Sequence, residues 1–197
     1  MNYGLYLSAS GALTSLYQQD VYANNLANSQ TIGFKRDFVY FQQRLPERIE
    51  NYIAIDPQHM LEQLGGGRFA MPNWINFEQG ELAPTGRPLD VAIKGEGFFV
   101  VNSGRGDGAE RLRFTRDGRF MLNAKGEMVM SATGMQVLDV NDRPINLAGG
   151  GDVRIESTGE VVQNGDIVAR IQVTQIPQQS QLRKAGDNLF VLTNTAQ

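Results

Sequence analysis

Cysteine is absent from the 197 residues, and histidine occurs once, at His59. No disulfide, thiolate metal site or thiol nucleophile can be built from this composition. One histidine and no cysteine also exclude the common zinc sites and Ser-His-Asp chemistry. His59 lies in a Gln/Met/Leu context and reads as a surface or loop residue. No apolar run reaches the roughly 18 residues that a membrane-spanning helix needs, so no direct membrane insertion is expected. The chain opens with neither a basic stretch nor an apolar signal core, so no cleaved secretory signal is expected. The formal net charge is −3. No Lys/Arg cluster is interleaved with aromatics, which argues against nucleic acid as a partner.

The most informative scarcity is local. Residues 1–34 carry one charged side chain, Asp20, and the first cation is Lys35. Tyr6, Ala9, Leu13, Leu16, Asp20, Ala23 and Ala27 recur at helical spacing. Leu5, Ala9, Ala12, Leu16, Gln19, Ala23 and Leu26 form an adjacent stripe. The pattern predicts one amphipathic helix with a broad apolar face of small residues over 1–33. Gly11 weakens it by about 1 kcal/mol relative to Ala. Thr31-Ile32-Gly33 supplies the stop, with Gly33 suited to a left-handed cap. The few apolar side chains cannot offset the backbone entropy of ordering such a segment. It is expected to be poorly ordered alone and helical when packed against partners.

Residues 34–77 read as a partly extended connector, with Pro46, Pro57, Pro72 and Gly65-Gly66-Gly67 as interruptions and a short helix around Gln58–Leu64. From residue 78 the texture is β. Leu89, Val91 and Ile93 alternate with Asp90, Ala92 and Lys94, and Ile167, Ala169, Ile171 and Val173 with Arg170, Gln172 and Thr174. Phe98-Phe99-Val100-Val101 is apolar on both faces and reads as a buried strand, and Leu189–Leu192 as a last one. Turn signals recur at Asp117-Gly118, Asn123–Gly126, Asn141–Pro144 and Ser157–Gly159. Asn164-Gly165 between two apolar pairs is the strongest hairpin signal. The expected fold is mainly β with an N-terminal α-helix. It combines an antiparallel sandwich- or barrel-like β domain over 78–197 with an extended connector and an amphipathic terminal helix.

Gly95-Glu96-Gly97 lacks the third glycine of a dinucleotide fingerprint and leads into a strand, so it reads as a tight turn and no cofactor is expected. Glu78 and Glu81, or Glu47 and Glu50, have nothing that places them in a cleft. No enzymatic reading survives.

Two blocks carry a resemblance. Asn24-Asn25-Leu26-Ala27-Asn28 followed by Thr31-Ile32-Gly33-Phe34-Lys35 resembles the N-terminal signature of the flagellar rod and hook protein family. The segment from Gly80 to Phe99 resembles its second signature, through Gly80, Thr85, Gly86, Pro88, Leu89, Asp90, Gly95, Gly97 and Phe98. Phe114–Phe120 and Gly186–Phe190 follow where the family has similar segments. The resemblance covers nearly the whole chain except about residues 42–76. The short connector and single β domain are more similar to the rod branch, its proximal members first and its distal members second, than to the larger hook protein.

The resemblance implies a structural subunit of the bacterial flagellar basal body. Such a subunit is exported without a cleaved signal through the type III export apparatus. It polymerises with itself and with other rod and hook-family subunits into the periplasmic rod that transmits torque. Carried onto this chain, Leu5, Ala9, Leu13, Leu16, Ala23 and Leu26 would face other helices in a coiled coil. Asn24, Asn25 and Asn28 would hydrogen-bond neighbouring subunits, and Thr31, Gly33 and Phe34 would turn the chain towards the connector. The family closes with a second long helix, whereas this sequence stops at Gln197. The stop leaves a second reading, a rod-associated module that docks through its β domain without polymerising.

Overall fold

The computed structural model describes residues 3–45, 66–104, 106, 108–147 and 150–193. His59 and the short helix expected around Gln58–Leu64 lie outside the described residues. The chain divides into two units, one of Met1–Gln30 with Lys35–Phe77, the other of Thr31–Phe34 with Glu78–Gln197.

The first unit is built on α1 (Tyr3–Ala27). Its hydroxyl residues bond back to the helix: Ser8 Oγ donates to the Gly4 carbonyl at 2.9 Å, and Ser15 Oγ to that of Gly11 at 2.9 Å. Such bonds satisfy side-chain donors without calling on a partner. The connector supplies four short strands, β1 (Asp37–Phe38), β2 (Phe41–Gln43), β3 (Arg68–Ala70) and β4 (Trp74–Ile75). They form two antiparallel pairs, β1 with β4 and β2 with β3. Phe38 stacks on Trp74 across the first pair at 6.1 Å, with the Arg36 guanidinium 5.8 Å from the Phe38 ring. α1 lies against β1 and β3.

The second unit holds β5 (Phe98–Asn102), β6 (Leu112–Thr115), β7 (Phe120–Leu122), β8 (Met128–Met130), β9 (Gln136–Val137), β10 (Val153–Ile155), β11 (Glu160–Gln163), β12 (Asp166–Arg170), β13 (Val173–Thr174), β14 (Leu182–Gly186) and β15 (Leu189–Leu192). An eight-stranded sheet runs β14-β15-β6-β5-β9-β8-β7, with β13 also paired to β5, and β10-β11-β12 form a separate three-stranded sheet. Every pairing is antiparallel and the larger sheet stays open, so the unit is not a closed barrel.

β5 is central because its four apolar residues, Phe98 to Val101, are all buried. Phe99 and Val101 enter a core with Phe120, Met128, Met130, Val137 and Leu189, which the smaller sheet joins through Val153 and Val161. Phe98 meets Phe190 edge to face at 5.7 Å. The Asn164-Gly165 hairpin forms between β11 and β12 as expected. Both residues take positive φ, 54° and 96°, as a type I′ turn requires.

The expected turn at Asn141–Pro144 is fastened by Asp139, whose Oδ1 accepts the N–H groups of Asn141 at 2.8 Å and Arg143 at 2.9 Å. Burial pushes the Asp139 carboxyl up, but the Arg143 and Asn141 bonds outweigh it and hold the group below its ordinary value. Glu127 is lowered by hydrogen bonds from the Asn123 and Gln136 side chains. A carboxylate depressed in the folded state stabilises the fold above its ordinary pKa and loses that contribution as pH falls through the folded value. The β domain's melting temperature should therefore be flat down to about pH 5 and fall below it. Asp139→Asn combined with Glu127→Gln should reduce that acid sensitivity in melts followed by circular dichroism.

Candidate assembly interface

α1 presents two faces. Leu7, Gly11, Thr14, Gln18, Val21 and Asn25, spaced by three and four, are buried or half-buried. This face meets the connector. Ser10 Oγ donates to the Arg68 carbonyl at 3.0 Å, and the Arg68 N–H returns to Ser10 Oγ at 3.2 Å. Tyr17 donates its hydroxyl to Asn73 Oδ1 at 2.8 Å. The helix thus has a partner inside its own chain, which the expectation of a segment left wholly to other subunits did not include. Serine, glycine and threonine permit that close approach.

The outward face carries the predicted interface. Leu5 is 71% exposed, Leu13 67%, Leu16 57% and Leu26 76%, and Ala9 and Ala23 are exposed with them. Among the described residues nothing covers these side chains. Burying one such leucine is worth roughly 1.5–3 kcal/mol, so a row of them along one helix is a standing drive towards association.

The three asparagines divide. Asn25 is engaged within the chain: its Nδ2 donates to the Asp37 carbonyl at 2.8 Å and its Oδ1 accepts the Asp37 N–H at 3.0 Å. The amide completes a two-bond ladder step with β1 rather than reaching a neighbouring subunit. Asn28 Nδ2 donates to the Asn24 carbonyl at 3.0 Å, closing the helix end, and the Asn24 side chain is exposed. Asn25→Ala should leave Asp37 with one donor and one acceptor partly buried and unmatched, costing roughly 1–3 kcal/mol of local stability. Faster amide exchange at Asp37, with β5 unchanged, is the expected readout.

The turn Thr31–Phe34 belongs to the β-domain unit. The Phe34 N–H donates to the Thr31 carbonyl at 3.2 Å, and Gly33 sits at φ 76°. A Cβ at Gly33 would stand 2.7 Å from the Asp117 nitrogen, so only glycine fits there without displacing backbone. Asn188 Nδ2 donates to the Ile32 carbonyl at 3.0 Å, and the Lys184 ammonium lies 4.3 Å from the centre of the Phe34 ring. Asp117, itself buried, accepts from Arg119 Nε at 2.9 Å and Nη2 at 2.6 Å, and this raises the pKa of the guanidinium.

The second signature splits in two. Gly80 to Pro88 is exposed and outside any strand, and the Thr85 hydroxyl accepts the Arg87 N–H at 3.5 Å. Leu89 packs against the core, Asp90 bridges to Arg119, and the Val91 N–H donates to the Gly118 carbonyl at 3.0 Å. Gly95 accepts Arg116 Nη1 through its carbonyl at 2.8 Å. Gly97 lies where a Cβ would stand 2.9 Å from Val173 Cγ1, and Phe98 opens β5. Parts of all four sequence blocks therefore meet around Asp117: Ile32-Gly33, Asp90-Val91, Thr115–Arg119 and Asn188, with Lys184 joining from just ahead of the fourth block. Sequence reasoning singled out the blocks but not Lys184 and Asn188 as the residues that hold the turn.

Among the described residues no cluster of His, Asp and Glu could hold a metal ion, and no helix is long and apolar enough to cross a membrane. Residues 92–181 match a family described as the flagellar hook protein FlgE/F/G D1 domain, and residues 5–35 match the flagella basal body rod protein family. The flagellar basal-body rod protein FlgF of Caulobacter vibrioides is 34% identical over 198 residues, covering 100% of this chain and 76% of that protein. FlgF of Rhizobium meliloti is 34% identical over 170 residues, covering 86% of this chain and 63% of the relative. The rod protein FlgG of Caulobacter vibrioides is 31% identical, covering 94% and 72%. The order, FlgF before FlgG, agrees with the expected similarity to proximal and then distal rod members.

Proposed function

The chain belongs to the flagellar rod and hook protein family, a structural rather than enzymatic one, and from that premise we propose how it acts. It is a subunit of the basal-body rod that polymerises through α1 and passes torque from motor to hook. The outward row of Leu5, Leu13, Leu16 and Leu26 carries this reading, because a row of exposed leucines is stable only when neighbours cover it. The contact is heterologous, with one subunit's helix face meeting a different surface of the next, since only that arrangement propagates into a filament.

The subunit reaches the periplasm unfolded, through the type III export apparatus and without loss of a signal segment. The absence of cysteine suits that route, since no wrong disulfide can form on the way. Its partners are copies of itself and other rod and hook-family subunits. Quantitative mass spectrometry of basal bodies purified from cells that make the native gene product tests the reading. Several copies per basal body are expected. Absence would overturn it, and a single copy removed by moderate salt would favour a module docking through its β domain.

A further inference from the structure

We propose that the Thr31–Phe34 turn is a latch that closes only after the last strand of the β domain has paired. The receptor for the turn is composite. One wall is the Arg116-Asp117 backbone just after β6, against which Gly33 packs without room for a Cβ. The other wall is Lys184 on β14 and Asn188 in the β14–β15 turn, which reach the Phe34 ring and the Ile32 carbonyl.

The two walls share one connection. β15 pairs with β6 through Leu189 opposite Thr115 and Phe190 opposite Phe114. Thr115 Oγ1 donates to the Asn188 carbonyl at 3.0 Å and accepts the Asp117 N–H at 3.1 Å, so one hydroxyl fixes both walls. Asn188 takes φ 59° beside Asp187 at 47°, a turn defined by the pairing of β14 with β15. Without β15 in place there is no Asn188 amide at Ile32 and no ammonium at Phe34.

The contact from Asn188 to Ile32 spans 156 positions. Closing so long a loop costs more entropy than forming the local hairpins β7–β8 or β11–β12, so it follows them in folding. Its use rests on the assembly reading: a subunit whose Thr31–Phe34 turn is set last engages its neighbours only once its β domain is complete.

Hydrogen exchange on the full-length monomer tests the latch without reference to assembly. Asn188→Gly keeps the positive φ and removes the amide, and Lys184→Ala removes the cation. The double variant should speed exchange of the Phe34 amide roughly tenfold or more while β5 and β6 amides stay within about threefold of the native chain. Gly33→Ala should do the same by displacing the turn. In pulse-labelled refolding, the Phe34 amide should gain protection no earlier than the amides of Leu189–Leu192. Unchanged Phe34 exchange in the double variant, exchange that rises in step with β5, or protection of Phe34 ahead of β15 would each overturn the latch. Such a failure leaves the assembly reading standing, and the loss of assembly would leave the latch measurable.

Discussion

Leu16→Asp should abolish incorporation of the chain into basal bodies while leaving the monomer's β domain as stable as before. Leu16 is 57% exposed in the single chain, so the substitution removes little packing there. Changes at such surface positions usually stay within about 0.5 kcal/mol. Assembly changes the environment. A carboxylate carried into an apolar helix contact has no partner, and an uncompensated buried charge costs on the order of 3–5 kcal/mol. That is a weakening of roughly 10²- to 10⁴-fold per contact. Every copy in a polymer meets the same cost, so growth stops rather than slows. Leu16→Met, which keeps volume and polarity, should assemble normally. The measurements are motility, recovery in purified basal bodies, and thermal melting of the monomer. Normal motility in Leu16→Asp would contradict the assignment of this face.

Gly118→Ala should have the largest effect on the β domain itself. A Cβ at Gly118 would stand 1.8 Å from the Val91 carbonyl oxygen and 2.8 Å from its carbon. Those are backbone atoms, so no rotamer change can relieve the clash. Either the Val91–Gly118 hydrogen bond is lost or residues 89–93, whose Leu89, Val91 and Ile93 lie against the core, are lifted away. Displacing packed residues in this way belongs with the large destabilisations, about 3 kcal/mol or more. Domains of this size hold roughly 5–15 kcal/mol in total, so the variant should unfold at a much lower denaturant concentration.

Local signals in the sequence were the legible ones. Asn164-Gly165 specified its own hairpin because the turn needs only two residues tolerant of positive φ. Phe98 to Val101 read as buried on both faces and became the central strand. The outward stripe of α1 was legible for the same reason, a helical period contained in one segment. Alternation was less reliable. Leu89, Val91 and Ile93 pack on the core, but among the described residues their segment forms no strand, meeting the larger sheet's chain at the Asp90–Arg119 bridge and the Val91–Gly118 hydrogen bond. Period two reports a half-buried extended chain, and the strand partner that would complete a ladder is set elsewhere.

Ile167 shows the same limit. It sits on β12, at the edge of the smaller sheet, and is 65% exposed although its alternation suggested a buried face. The register shift between Val161 and Val162 on β11 changes which side chains of β12 face inward. The candidate site was legible as motifs but not as contacts. Asn25 read as a polar helix end, yet its partner is the backbone of Asp37 beyond the turn. Asn188 and Ile32 meet across almost the whole chain, and nothing in either segment encodes the other.

The absence of cysteine allows a direct measurement, because Leu16→Cys would carry the only thiol in the protein. Maleimide labelling should be fast on the monomer, where the position is exposed, and strongly suppressed in intact basal bodies, where a neighbouring helix covers it. Equal labelling in the two states would show that the outward face of α1 stays open to solvent in the assembled structure, and the account of assembly through that face would be wrong.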